Sequence, residues 1–286
     1  MISSGDIIAN RYTVTSLLGK GGMAVVFECI DAYTKNVVAI KILKEELLDK
    51  KEMIVGFKKE MKAAIQLSHP NIMEIYGEGV WKSRPYFVLE YLKGETLLDK
   101  IEFYTKFAIK EACQIMMQLL DAVEYCHSHN IIHRDIKPQN IFYLANGTVK
   151  LGDFGIAKKE KEAENHGKIL GSVHFLAPEV LLGKDFSIAS DLYACGITFF
   201  QLITGVLPFD GETNEIVHAQ TKIKCPKPSS ILPSVPKEID KIILKALEKD
   251  PLLRYKNASD FKDDISLFLS GKKQNKFKLN RLFNGR

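Results

Sequence analysis

The stretch His133-Arg134-Asp135-Ile136-Lys137-Pro138-Gln139-Asn140 constrains this chain more than any other. Ahead of it, Ala112 to His129 carries apolar residues at helical spacing: Ile115, Leu119, Val123 and Cys126. Behind it, Ile141-Phe142-Tyr143-Leu144 is a short β-prone run that closes on the turn signal Asn146-Gly147. The stretch between is therefore a loop tied to apolar elements at both ends. From Asp135 to Asn140 it holds a carboxylate, an amine and a carboxamide. That set suits phosphoryl transfer. Asp135 can accept a proton from an attacking hydroxyl, Lys137 can neutralise charge on the moving phosphate, and Asn140 can offer an oxygen to a metal ion. The plain alternative is a polar surface loop, but H-R-D-x-K-P-x-N is too long and specific a string to leave it at that.

Residues 11–43 alternate in a strand-like way around Gly19-Lys20-Gly21-Gly22-Met23-Ala24. Glycines between two strands let backbone N–H groups approach a phosphate, although a hairpin turn explains a lone G-x-G equally well. A lysine on the next strand, in Val38-Ala39-Ile40-Lys41, tips the balance. Lys44 to Leu67 is helix-prone, with apolar positions at Ile54, Phe57, Met61, Ala64 and Ile65 and with Glu60 among them. Such a glutamate is ordinarily a solvated helix-face residue. Strands are expected near Ile72–Tyr76 and Tyr86–Leu89, and Glu90 to Gly94 reads as a connector into a helical region. Val149-Lys150-Leu151 leads to Gly152-Asp153-Phe154-Gly155, where Asp153 beside a glycine is a second candidate metal contact or a simple turn aspartate. After Ala177-Pro178-Glu179, an apolar helix is expected from Asp191 to about Ile203. Others are expected near Glu215–Lys222, Pro236–Leu247 and Ala258–Leu269.

The formal charge of +5 is a property of one end. Residues 271–286 hold six basic side chains and no acid, and without them the chain has 34 basic against 35 acidic residues. This balance gives no support to a nucleic-acid partner. No apolar run reaches the roughly 18 residues that a spanning helix needs, and Met1-Ile2-Ser3-Ser4-Gly5-Asp6 lacks an apolar signal region. Five cysteines without a C-x-x-C spacing are expected to be buried thiols of a reducing, cytoplasmic protein.

With Gly19-x-Gly21, Val38-Ala-Ile-Lys41, His133-Arg-Asp135, Asp153-Phe-Gly155 and Ala177-Pro-Glu179 in this order, the chain resembles a eukaryotic-type protein kinase over residues 11 to about 268. Leu18-Gly-Lys-Gly-Gly-Met-Ala24 with Asp135-Ile-Lys-Pro-Gln-Asn140 is most similar to bacterial serine/threonine kinases of the PASTA-receptor type. The resemblance implies an α+β, bilobal fold. A small β-rich lobe with one main helix (1–92) would sit over a larger, mostly α-helical lobe (93–270), followed by a basic tail (271–286), disordered or juxtamembrane. It implies ATP and Mg2+ as cofactors and proteins as substrates. Leu18, Gly19, Lys20, Gly21, Gly22, Met23, Ala24 and Val26 would cover the phosphates, and Lys41 would hold them while pairing with Glu60. Val26, Ala39 and Phe142 would sandwich the adenine, with Leu89 behind it and main-chain groups of Glu90 and Leu92 on its edge. Asn140 and Asp153 would carry magnesium, Asp135 and Lys137 would act on the hydroxyl and the phosphate, Glu179 would pair with Arg254, and Asp191 would brace the catalytic loop. His133, Phe154, Ala64 and Ile75 would stack as a column.

The chain departs from the family pattern in three places. Ala24 replaces the third loop glycine, and Ser172 and Phe175 stand where threonine and tyrosine are usual. From Phe154 to Leu170 there is no Ser, Thr or Tyr, so Arg134 has no phosphate partner there, with Glu160, Glu162 or Glu164 as candidate stand-ins. Activity independent of phosphorylation in this segment is the expectation, with dimer contact through the small lobe an open means of activation. The tail mixes bases with Phe277, Leu279, Leu282 and Phe283, which suits contact with anionic lipid as well as it suits a solvated end. Two other functions fit parts of the pattern. A pseudokinase or nucleotide-binding scaffold would not need Lys41, Glu60, Asp135, Asn140 and Asp153 together. A small-molecule phosphotransferase would lack Ala177-Pro178-Glu179 and the Asp135-x-Lys137 pair.

Overall fold

β-prone runs in the first third of the chain form a single antiparallel sheet. Its strands are β1 (Ile7–Ile8), β2 (Tyr12–Lys20), β3 (Ala24–Asp31), β4 (Val37–Leu43), β5 (Ile75–Trp81) and β6 (Arg84–Glu90), in the order β1-β2-β3-β4-β6-β5. The computed structural model describes residues 2–153 and 173–271, and only the backbone at 59–61, 63 and 64. Phe154, Gly155, Glu160, Glu162, Glu164, Ser172, the basic tail and the side chains of Glu60, Met61 and Ala64 thus lie outside the described residues.

The sheet is buried on both faces, which explains why β4 reads as a continuous apolar run rather than a clean alternation. On one face Val38, Ile40 and Ile42 pack with Tyr86, Val88, Phe27 and Ile8. On the other, Ala39 and Leu43 pack with Phe87, Leu89 and Phe57. The two-residue period of a strand places Lys41 on the second face, beside helix α1 (Lys51–Ala64). The helix-prone stretch from Lys44 divides here: a 3-10 turn covers Glu45–Leu47 before α1 begins.

The expected strand at Ile72–Tyr76 is misplaced in sequence. Strand β5 starts at Ile75, while Ile72 makes a parallel bridge to Leu151 and the Met73 N–H donates to the Leu151 carbonyl. The Asn71 carboxamide causes this by donating to the Val149 carbonyl at 2.8 Å, which binds residues 71–73 to the second sheet instead of the first.

Beyond Glu90 the chain crosses over residues 91–93 into β7 (Gly94–Thr96), which pairs with β8 (Ile141–Leu144), itself paired with β9 (Val149–Leu151). Helix α2 (Leu97–Tyr104) begins on a capping box of Thr96 and Asp99. Helix α3 (Ile109–Ser128) runs under this small sheet and delivers the chain to residue 133. Next come α4 (Pro178–Leu181), α5 (Ile188–Thr204), α6 (Thr213–Lys222), α7 (Pro228–Ile231), α8 (Lys237–Ala246) and α9 (Ala258–Leu269). Every residue of α5 from Ser190 to Thr204 is buried, as expected for a helix apolar all round. Gly196 lets it approach α8 closely; a Cβ there would meet the Ala246 Cβ at 2.9 Å.

All five cysteines are buried and free. Burial pushes the thiols of Cys29, Cys113, Cys126 and Cys225 up to about 12, so they are inert apolar fillers. Among the described residues no helix is long and apolar enough to cross a membrane.

Candidate active site

The first turn of α5 organises the loop that the sequence singled out. Asp191 Oδ2 accepts the His133 N–H at 2.8 Å and Oδ1 accepts the Arg134 N–H at 2.9 Å. His127, at the end of α3, places Nε2 at 2.9 Å from the same carboxylate. Two main-chain donors therefore point at one buried acidic group, while Arg134 adopts a left-handed φ of 71°. The imidazole of His133 is fully buried. Its Nδ1 accepts the Asp135 N–H at 3.3 Å, so Nε2 carries the hydrogen and donates to the Gly152 carbonyl at 3.1 Å. That arrangement needs a neutral ring, and burial pushes the His133 imidazole below its ordinary range.

Asp135 is thus fixed from behind, and its carboxylate meets two partners. Lys137 Nζ lies 3.0 Å from Oδ2, and Asn140 Nδ2 donates to the same oxygen at 2.9 Å and to the Asp135 carbonyl at 2.8 Å. Because the NH2 of Asn140 is spent on Asp135, Oδ1 is the atom it can offer a cation. The Gly152 N–H donates to the Asn140 carbonyl at 2.9 Å, joining this loop to the Asp153 turn. Gly152 packs closely there: a Cβ would meet the Met73 methyl at 3.2 Å and the Phe142 ring at 3.4 Å. Asp153 has a φ of 48°, and its Oδ1 sits 2.7 Å from Lys41 Nζ. The adjacent ammonium pulls the Asp153 carboxyl below the usual carboxylate range. Lys41, the Asp135–Asn140 loop and Asp153 come from three separate parts of the chain, and they converge. The side chain of Glu60 is outside the description, though its helix lies on the Lys41 face.

Above this cluster, β2 and β3 form a hairpin whose turn closes through the Gly21 N–H donating to the Ala24 carbonyl at 2.9 Å. A Cβ at Gly19 or Gly22 would have no protein atom within 4 Å, so the glycines border open space. Strand register places Ala39 opposite Leu89 and Val26 opposite Lys41. The Glu90 carboxylate is committed to Lys150 at 2.7 Å and to the Glu74 N–H at 3.1 Å, and the Glu90 N–H donates to the Glu74 carbonyl at 2.9 Å. Phe142 lies on β8 of the second sheet, its ring edge beside Gly152.

The sequence pattern of the protein kinase domain matches residues 12–263. The chain belongs to the protein kinase family. Its relatives include the probable serine/threonine-protein kinase PknB of Lactococcus lactis, 38% identical over 93% of this chain and 43% of that one. Another is the serine/threonine-protein kinase PrkC of Bacillus subtilis, 40% identical over 91% of this chain and 41% of that one. The chain therefore spans less than half the length of these relatives, and the likeness to bacterial serine/threonine kinases read from its loops holds. In fold it matches the PknI kinase domain of Mycobacterium tuberculosis, with a TM-score of 0.74, 24% identity and coverage of 93% of this chain and 99% of that one. The two-lobed kinase fold is thus present.

Glu179 and Arg254 form a buried bidentate pair at 2.8 and 2.7 Å. The site also draws on residues that the sequence did not signal. His127 joins Asp191 across 64 positions. Phe186 carries the Arg134 guanidinium 5.9 Å from its ring centroid. Neither falls at a spacing that would single it out, because each gains its role only from the packing of α3 and α5 around the loop.

Proposed function

We propose that this chain is a protein serine/threonine kinase domain that transfers the γ-phosphate of ATP to Ser or Thr hydroxyls of proteins, itself included. The observation that carries the reading is the Asp135 carboxylate, gripped by Lys137 and Asn140 and facing the Lys41–Asp153 pair. In the reaction, Asp135 orients the acceptor hydroxyl and takes its proton as the hydroxyl oxygen bonds to the γ-phosphorus. The bond from that phosphorus to the bridging oxygen breaks, and its electron pair leaves with ADP. Lys137 neutralises charge on the moving group, and Lys41 holds the phosphates that stay behind. No covalent intermediate with the protein is needed, and turnover of an active form is on the order of 1–100 per second.

The residues fit the cofactors of the family. The open space at Gly19 and Gly22 admits phosphates against backbone N–H groups. Asp153, held ionised, and Oδ1 of Asn140 are hard oxygen ligands of the kind Mg2+ takes, and the ion would supply charge neutralisation between phosphates. Val26 and Ala39 above and Phe142 below would hold the adenine, Leu89 would back it, and main-chain groups of Glu90 and Leu92 would meet its edge. Leu18 through Ala24 would close over the phosphates. A dimer through the small lobe is supported by the exposed Ile7, Tyr33, Val37 and Tyr76 on that lobe.

Labelled ATP, magnesium and a generic basic substrate protein, assayed beside Asp135→Asn, test the function. The expected result is label on Ser or Thr that falls by about three orders of magnitude in the variant. Tight nucleotide binding without transfer by the wild-type protein would favour a scaffold instead.

A further inference from the structure

Arg134 occupies an unusual position. Its backbone is left-handed, with a φ of 71°, and it immediately precedes Asp135. The main chain of Arg134 is held by Asp191. Its guanidinium stands 5.9 Å from the Phe186 ring centroid, inside the range of a cation–π contact. Both holds come from one helix end. Ser187 caps α5 in a reciprocal box with Ser190, so Phe186 is the residue before the cap and Asp191 is the fourth residue of the helix. In an ordinary helix start, these two positions carry apolar side chains that staple to each other. Here both are directed at Arg134. Arg134, Asp135, Phe186, Ser190 and Asp191 also line one small cavity, so Phe186 and Asp135 border the same space.

We infer that Phe186 is a positioning residue for phosphoryl transfer: its ring is the platform on which Arg134 is steadied, and through Arg134 it aims Asp135. The inference rests on the kinase function proposed above. It also fits residues 154–171, which offer no hydroxyl to carry a phosphate toward Arg134. A ring encoded in the fold needs no modification to act.

The test compares Phe186→Leu and Phe186→Tyr with wild type in steady-state transfer assays, with thermal unfolding alongside. Leucine keeps the apolar contact of a helix staple and removes the ring face; tyrosine keeps both. We expect the leucine variant to lose about ten- to one-hundred-fold in kcat, the scale set by a small misplacement of a reacting group. Its KM for ATP and its unfolding temperature should stay near wild type, and tyrosine should restore the rate. Full activity in the leucine variant would overturn the inference. So would equal impairment of both variants, or a loss of kcat that follows a loss of stability, because each outcome assigns Phe186 a packing role only. A wild-type protein that transfers no phosphate would instead remove the kinase reading, and this inference with it.

Discussion

His133 shows how one buried side chain links the loop, the site and the pH response. Its neutral ring accepts from Asp135 and donates to Gly152, so a proton added to Nδ1 would break the first bond and leave a buried charge. The folded state holds the imidazole below its ordinary value of 6.5, while the unfolded chain titrates near that value. As pH falls through 6.5 the unfolded state binds the extra proton first, so acid erodes stability down to the lowered folded value. The slope is at most about 1.4 kcal/mol per pH unit for one such group. The stability advantage of wild type over His133→Phe, from urea titrations at pH 7.5, 6.5 and 5.5, should therefore shrink on acidification. Parallel curves would show that His133 is not the titrating group. Asp153 has the same sign in a lower window. Lys41 depresses it, so its contribution is complete above ordinary carboxylate values and is lost as pH falls below them. Near neutral pH the Asp153 carboxylate therefore keeps its charge.

At the scale of elements, the N-terminus of α5 is the decisive piece. Its capping box fixes where the helix starts, and that start places Asp191 under two main-chain donors. Asp191→Ala leaves the N–H groups of His133 and Arg134 buried without their acceptor, at about 1–3 kcal/mol each. Denaturant unfolding should show a loss of about 2–5 kcal/mol, and phosphate transfer should collapse with it. A variant as stable as wild type would mean that other contacts carry the loop. The pair between α4 and the segment after α8 is also buried. Removing Glu179 strands the Arg254 guanidinium, whose remaining partners are main-chain carbonyls of Glu248, Ala189 and Lys249. Glu179→Ala is accordingly expected to cost about 3–5 kcal/mol by the same measurement, more than any exposed ion pair.

For the whole molecule, charge and modification can be separated from catalysis. The described body is nearly neutral, because the basic excess belongs to residues 271–286. Protein ending at residue 270 should then transfer phosphate as fast as the full chain, while only the full chain floats with vesicles rich in anionic lipid. Equal flotation of both would remove any lipid role from the tail. Activity should also survive phosphatase treatment. Loss of activity on phosphatase treatment would overturn this and would place the required phosphate outside 154–171, a segment with no hydroxyl side chain.

Much of this was legible along the chain, for a physical reason. Asp135, Lys137 and Asn140 act together at short separation, and local spacing is what a sequence displays. The same holds for the run of α9 from Ala258 to Leu269 and for the β8–β9 turn at Gly147. Buried strands were harder to place: residues 71–73 look β-prone but are claimed by the second sheet through the Asn71 carboxamide, a contact 78 positions away. The sequence by itself determined the chemistry available, meaning which acids, amines and glycines exist and in what order, and it determined the family. Only the tertiary structure decided that Lys41 would meet Asp153 across 112 positions, that His127 and Asp191 would share the catalytic loop, and that Phe186 would lie under Arg134. Those contacts depend on how two sheets and α5 pack, and packing is set by the whole core at once rather than by any local run of residues.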